Sequence, residues 1–77
     1  MNIDKIRNYI KENKNKLLMF TYKGSRNQTD EFVGKIIETY RMVFTIKVND
    51  KTNRIKSYSY NDILTNNLII KEIVFKK

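Results

Sequence analysis

The stretch VFTIKV, residues 43–48, decides the fold of this chain. Every second side chain in it is apolar and points to one face of an extended segment: Phe44, Ile46 and Val48. The next residues, NDKTN at 49–53, are types that favour a tight loop. The two stretches together predict a half-buried β-strand that turns back into an antiparallel neighbour.

The chain on both sides of this hairpin predicts further strands. The predicted strands run from 16 to 22, 31 to 40, 43 to 48, 54 to 60 and 68 to 75. Gly34 inside the second strand favours a bulge or a sharp bend. Ile55 is out of phase with Tyr58, which a bulge in the fourth strand would explain. The segment 68–70 is apolar on both faces and predicts a central or covered strand.

The first residues predict an amphipathic helix at 2–14. Three isoleucines are spaced to fall on one face of it: Ile3, Ile6 and Ile10. Asn2 can cap the first turn, and Asn13 and Asn15 are candidate stop residues, since asparagine tolerates the left-handed conformation that often ends a helix. A helix this short is marginal alone, so its isoleucine face must dock on the strands.

These elements predict a mostly β protein, in which an N-terminal helix precedes a five-stranded SH3-like small barrel. A short helical turn at 61–64 separates the fourth strand from the fifth. We expect a single domain at 1–77, with the helix at 2–14 plugging one open end of a barrel at 16–75. An OB-type barrel is the main alternative, but residues 48–54 leave no room for its helix. Closure would hide strand edges that a chain this short cannot protect otherwise.

The composition argues against catalysis and against bound cofactors. The chain of 77 residues contains no cysteine and no histidine, which removes thiolate ligands, the commonest metal ligand and the commonest general base. Its carboxylates are scattered, and we therefore expect no enzyme activity, no metal, no cofactor and no small-molecule substrate. The longest apolar run has four residues, 17–20, and the first residues do not look like a secretory leader. We expect a cytoplasmic protein without a membrane partner.

The net charge of +8 favours an anionic or acidic partner, although a Lys- and Asn-rich composition can produce it without any function. A polar loop follows the first strand and carries Lys23, Gly24 and Arg26. Lys16 at the foot of that strand and Arg41 after the second strand add two more cations. Glycine and cations together can hold a phosphate or a carboxylate. The alternative is an ordinary solvated hairpin loop.

Three tyrosines lie among basic residues: Tyr40, Tyr58 and Tyr60. Aromatic rings beside cations on a sheet face can hold single-stranded nucleic acid by stacking and charge. The alternative, which we favour for the last two tyrosines, is that their rings close the core and place the hydroxyls at its rim. Asp62 is interpreted as a cap of the helical turn.

Three blocks resemble the Veg family, a group of small cytoplasmic proteins of Gram-positive bacteria and their relatives. The blocks are GKIIETY at 34–40, VFTI at 43–46 and SYSYNDILT at 57–65. They keep the order and spacing of the family, and Gly24 and Arg26 fit its preceding loop. The nine-residue block from Ser57 is the most specific part of the resemblance.

The resemblance implies an N-terminal helix followed by an SH3-like barrel, no catalysis and a regulatory role. The family is associated with stimulating biofilm formation by raising expression of extracellular-matrix genes, through opposition to a transcriptional repressor. Our leading hypothesis is therefore a regulatory protein that binds a transcriptional regulator. Direct binding of RNA or DNA through one basic barrel face, which carries Lys16, Lys23, Arg26 and Arg41, is the second hypothesis. A homo-oligomer that pairs strand edges, with 68–74 as a candidate edge, is the third.

Overall fold

The structure is a computed structural model that describes residues 2–24 and 28–73. Within these ranges the elements are α1 Ile3–Glu12, β1 Leu17–Lys23, β2 Thr29–Thr39, β3 Val43–Val48, β4 Ile55–Ser59, α2 Tyr60–Leu64 and β5 Leu68–Glu72. This order confirms the predicted mostly β class, the leading helix and the short helix between the last two strands. The alternating stretch that predicted β3 has the bounds expected of it. The predicted end of the last strand, at residue 75, lies outside the described residues.

The five strands form one antiparallel sheet in the order β4-β3-β2-β1-β5. β2 is long because its first part pairs with β1 and its last part pairs with β3. Gly34 belongs to both pairings, opposite Leu18 on one side and Val48 on the other. The register between β2 and β3 shifts between Ile36 and Glu38. A bulge in β2 is therefore confirmed, but it lies after Gly34 and not at it.

The sheet curls strongly toward its core face. The ring of Tyr58 on β4 lies 5.0 Å from that of Tyr22 on β1 and 6.2 Å from that of Phe32 on β2, across strands that are not paired. Lys56 reaches the same region, with its Nζ 2.6 Å from a carboxylate oxygen of Asp30. The curl follows from the long, bent β2, since its two ends carry strands that face each other.

The predicted closure into a barrel is not observed among the described residues, where β4 and β5 are the two ends of the sheet. α2 lies between these edge strands and contacts both of them. α1 packs against α2 and β2. The two helices therefore cover the opening where a fifth strand pairing, between β4 and β5, would close the cylinder.

α1 docks on the sheet as its isoleucine face predicts. Ile6 and Ile10 are buried in the main core, and Ile3 packs against it. Asn2 caps the helix by accepting a hydrogen bond from the backbone N–H of Lys5, and Asn15 takes the expected left-handed conformation, with φ 69°. Within the described residues, no helix combines the length and the apolar character that crossing a bilayer requires.

Two expectations about the later strands are wrong. The pairing of β3 with β4 is regular, so no bulge accommodates Ile55, whose side chain is simply exposed. β5 is an edge strand that pairs with β1, so the expected central position is wrong, whereas the alternative of a covered strand fits the burial of Leu68 and the half-burial of Ile69 and Ile70. The apolar residues of β5 are explained by packing. Leu68 is buried in the core, and Ile70 packs against the margin of the core.

Candidate partner-binding surface

The turn between β2 and β3 is anchored to both helices through its backbone. The carbonyl of Tyr40 accepts a hydrogen bond from the Tyr60 hydroxyl at 2.7 Å. The carbonyl of Arg41 accepts one from the Nε of Arg7 at 3.1 Å, and that of Met42 accepts one from the backbone N–H of Tyr60 at 3.2 Å. Three successive carbonyls are thus bound, which fixes the path of the turn.

The side chains of this turn point away from the core. Tyr40 is 56% exposed and Met42 is 65% exposed, and Arg41 is also exposed. We call these three residues the turn surface. Beside it lies a cavity of about 380 Å³, whose lining includes Ile3, Met42 and the margin of Tyr60. A backbone held by three hydrogen bonds that presents an aromatic, a cationic and a thioether side chain is suited to binding, because binding then has to order the side chains but not the backbone.

Sequence analysis identified Tyr40 and Arg41 but missed Met42 and the anchoring role of Arg7. Met42 follows directly on the identified pair and lies between two predicted strands, so its position in the turn was a usable indication. Arg7 gave no such indication, because its contact with residue 41 joins parts of the chain that are 34 residues apart. Its guanidinium also lies 5.8 Å from the centre of the Tyr60 ring.

Tyr60 is a core residue and Tyr58 is half-buried against the core, in agreement with the interpretation favoured for them. Tyr60 is 1% exposed, stacks on Phe44 at 5.5 Å and carries its hydroxyl to the rim, where it meets the Tyr40 carbonyl. Burial raises the pKa of the Tyr60 phenol, and the nearby Arg7 guanidinium opposes part of that rise. Burial likewise raises the pKa of Tyr58, against a lowering effect of Lys56. Neither ring is placed to stack on a base.

The predicted cations that the structure describes, Lys16, Lys23 and Arg41, are dispersed rather than gathered. Lys23 pairs with Thr29 at the start of β2, whereas Arg41 follows the end of that eleven-residue strand. Lys16 precedes the other end of β1, and its Nζ lies 3.3 Å from the Oδ1 of buried Asn13 at the end of α1. Lys16 therefore completes the helix terminus, where a cation is also favoured by the helix dipole.

The predicted loop after β1 is described in part. The backbone N–H of Gly24 donates to the carbonyl of Gln28 at 2.8 Å, and that of Lys23 donates to Asn67 at 2.7 Å. Arg26 lies outside the described residues. The described part of the loop therefore shows a hydrogen-bonded turn, and the Lys23 side chain is exposed beside it.

A second surface, not identified from the sequence, lies where α1, α2 and β5 meet. Its groove of about 520 Å³ is lined mainly by apolar side chains, among them Tyr9, Ile63, Leu68 and Ile70. Tyr9 is 37% exposed there. The apolar residues of β5 were visible in the sequence, but only the tertiary structure brings them against α1.

The comparison with protein families agrees with the resemblance carried by the three sequence blocks, which lie on both sides of the turn surface. The model of the family described as biofilm formation stimulator VEG matches residues 1–71. A comparison with curated proteins finds no match. The matched part includes both helices, four complete strands and most of β5. The chain therefore belongs to the Veg family of biofilm formation stimulators.

Proposed function

We propose that this chain is a small, non-enzymatic regulatory protein of the cytoplasm, which raises expression of extracellular-matrix genes by binding a transcriptional repressor. The anchored turn surface is the observation that carries the proposal. Membership of a family of biofilm formation stimulators supports the regulatory role. The composition supports the lack of catalysis, because the chain has neither histidine nor cysteine.

The residue types of the turn surface favour a protein partner. Tyrosine, arginine and methionine are enriched at protein interfaces, and tyrosine and arginine often dominate the binding energy. The net charge of +8 favours an acidic partner surface and opposes self-association of two copies through like-charge repulsion. We therefore place a transcriptional regulator, with an acidic and partly apolar surface, on the turn surface.

Affinity purification from the native cell, with and without nuclease, tests this proposal. The wild-type chain should recover a transcriptional regulator in both conditions. M42A should weaken recovery about tenfold, which is the loss expected when a central contact of an interface is truncated. I55A is the matched control, since Ile55 on β4 is 62% exposed and Met42 is 65% exposed. I55A should recover the regulator as the wild type does.

Transcript levels give a second readout in the same strains. A deletion strain should show reduced matrix-gene transcripts, which the wild-type gene and the I55A gene restore and the M42A gene does not. Unchanged transcripts in the deletion strain, together with recovery of no regulator, would contradict the proposal.

Direct nucleic-acid binding is the second candidate function, and the adjacent exposed side chains of Tyr40 and Arg41 favour it. A base can stack on the ring while the guanidinium contacts a phosphate. If about four phosphates are neutralised, log affinity should fall against log salt with a slope of roughly −3. R41A should make that slope shallower by about one, while the control K71Q should not. A flat salt response would contradict this candidate.

A further inference from the structure

One row of side chains crosses the face of the sheet that points away from the core. The strand registers place Leu17, Lys35, Lys47 and Ile55 side by side on β1, β2, β3 and β4. Both lysines are exposed. Residues directly opposite on antiparallel strands have Cβ atoms about 4.5–5.5 Å apart, and like charges in this position destabilise the sheet. The register therefore places two lysine side chains side by side on adjacent strands.

No described carboxylate neutralises this lysine pair. The four ion pairs within residues 2–24 and 28–73 include neither Lys35 nor Lys47. Glu38 lies further along β2, opposite Thr45, and its carboxylate is 4.0 Å from the Nζ of Lys14. Glu38, the acidic residue nearest to Lys35 along β2, therefore already pairs with Lys14.

A cavity of about 330 Å³ lies at the lysine pair. The β3–β4 hairpin contributes Asn49 and Asn53 to its lining, and each side-chain amide can donate hydrogen bonds. Asp50, the carboxylate of this hairpin, does not line the cavity. It accepts hydrogen bonds from Thr52 and the backbone of Asn53, and it pairs with Arg54 at 3.3 Å. Each polar side chain around the cavity can therefore donate hydrogen bonds, and none carries a negative charge.

We propose that this cavity binds a phosphate group. Two ammonium groups supply the charge, and a tetrahedral anion with several oxygens can accept from both lysines and from the asparagine amides at once. A bound phosphate would also offset the like-charge repulsion between the two lysines. The phosphate belongs to a small phosphorylated molecule or to a nucleic-acid backbone, and both present the same oxygens. This site goes beyond the regulatory role of the turn surface and does not depend on it.

Thermal unfolding tests the site through two effects with opposite signs. In chloride buffer, K35Q and K47Q should each raise Tm by about 2–5 °C, because each removes the like-charge contact. Sodium phosphate at the same ionic strength and pH should raise Tm of the wild type in a saturable way. Both variants should lose that saturable gain.

K71Q is the matched control. Lys71 is an exposed lysine on the same face of the sheet, but Met19 lies opposite it on β1. K71Q should leave the Tm in chloride and the phosphate gain as in the wild type. Phosphate stabilises proteins generally by exclusion from their surface, so the decisive result is the difference between variants. A phosphate gain that persists in K35Q and K47Q, or no saturable gain in the wild type, overturns the proposal.

Two ligands distinguish the source of the phosphate. Adenosine monophosphate and a short single-stranded RNA are titrated into the wild type and into K35Q. Binding of the mononucleotide, weakened about tenfold in K35Q, indicates a small phosphorylated molecule. Binding of the RNA alone, weakened to the same degree, indicates a nucleic-acid backbone. Binding of either ligand with equal affinity to both proteins contradicts the lysine pair as the site.

Discussion

At the scale of single residues, Gly34 decides how β2 can serve two neighbours. A Cβ atom at this position would lie 2.7 Å from the carbonyl oxygen of Lys47 and 2.8 Å from a methyl carbon of Ile46. Real Cβ atoms do not approach backbone this closely, so β2 and β3 can pair here only when residue 34 lacks a side chain. The close approach of β3 to β2 at Gly34, within the curled part of the sheet, therefore depends on the absence of a side chain there.

G34A should therefore destabilise the chain by about 2 kcal/mol, because the added methyl group must push β3 away from β2. Urea denaturation measures the change in the free energy of unfolding. G24A is the control, since a Cβ at Gly24 would meet the carbonyl of Gln28 at an ordinary 3.4 Å. We expect G24A to change stability by less than about 0.5 kcal/mol. Equal effects of the two substitutions would show that the bend at β2 tolerates a side chain.

Tyr60 links the core to the turn surface through one hydrogen bond. Y60F should lower stability by about 1 kcal/mol, because the Tyr40 carbonyl loses its donor while the ring still packs on Phe44. Y40F is the control, since the bond uses the backbone of Tyr40 and its own ring is exposed. Urea denaturation should place Y40F within about 0.5 kcal/mol of the wild type. If Y40F loses as much stability as Y60F, the Tyr40 side chain itself contributes to stability, and the loss in Y60F is not specific to the hydrogen bond.

At the scale of elements, α2 forms although it has five residues. The side chain of Ser59 accepts from the backbone N–H of Asp62, and the carboxylate of Asp62 accepts from the backbone N–H of Ser59, both at 3.2 Å. This reciprocal capping satisfies two backbone donors at the point where β4 ends. The interpretation of Asp62 as a cap is thereby confirmed.

S59A should cost about 1 kcal/mol, since it removes one of the two capping bonds. The measurement is again the free energy of unfolding in urea. S57A, on the same strand two residues earlier, is the matched control because Ser57 is exposed and opposite Thr45. If S57A destabilises the chain as much as S59A does, the loss reflects strand propensity and not the cap.

Sequence periodicity predicted the elements well where local patterns decide the structure. The alternation at 43–48 and the isoleucine spacing of α1 both reflect burial of one face, which is the physical cause of such patterns. Periodicity gave the wrong expectation in two places, namely a bulge at Ile55 and a central position for β5. Exposure of Ile55 has no local cause, and the apolar residues of β5 pack in and against the core from the edge of the sheet, which a reading of neighbouring residues cannot reveal.

At the scale of the whole molecule, local sequence patterns could not predict two properties. The sequence predicts the strand order needed for a barrel but not whether its ends pair, because closure depends on where the helices pack. The distribution of the cations was equally hidden. Charges counted along the chain suggested one basic face, whereas the folded chain separates Lys23 from Arg41 by the length of β2 and brings Lys35 against Lys47.

The half-buried and buried tyrosines make the stability of the whole molecule sensitive to alkali. Burial raises the pKa of Tyr9, Tyr58 and Tyr60, and Glu72 adds to the rise at Tyr9. An unfolded chain loses phenol protons near pH 10, before the folded chain does. At such a pH, unfolding releases phenol protons. The stability that these tyrosines contribute is therefore complete below about pH 10 and is lost as the pH rises through the phenol pKa values of the folded chain.

We therefore expect Tm to fall above about pH 10, and Y58F should make that fall shallower because it removes one of the raised groups. Loss of lysine charge over the same range lowers the net charge of +8 and so relieves self-repulsion, which acts in the opposite direction. The comparison with Y58F separates the two effects, because both proteins carry the same lysines. Thermal unfolding between pH 8 and 11 measures the slopes, and identical slopes for the wild type and Y58F would show that the buried phenols do not control the alkaline limit.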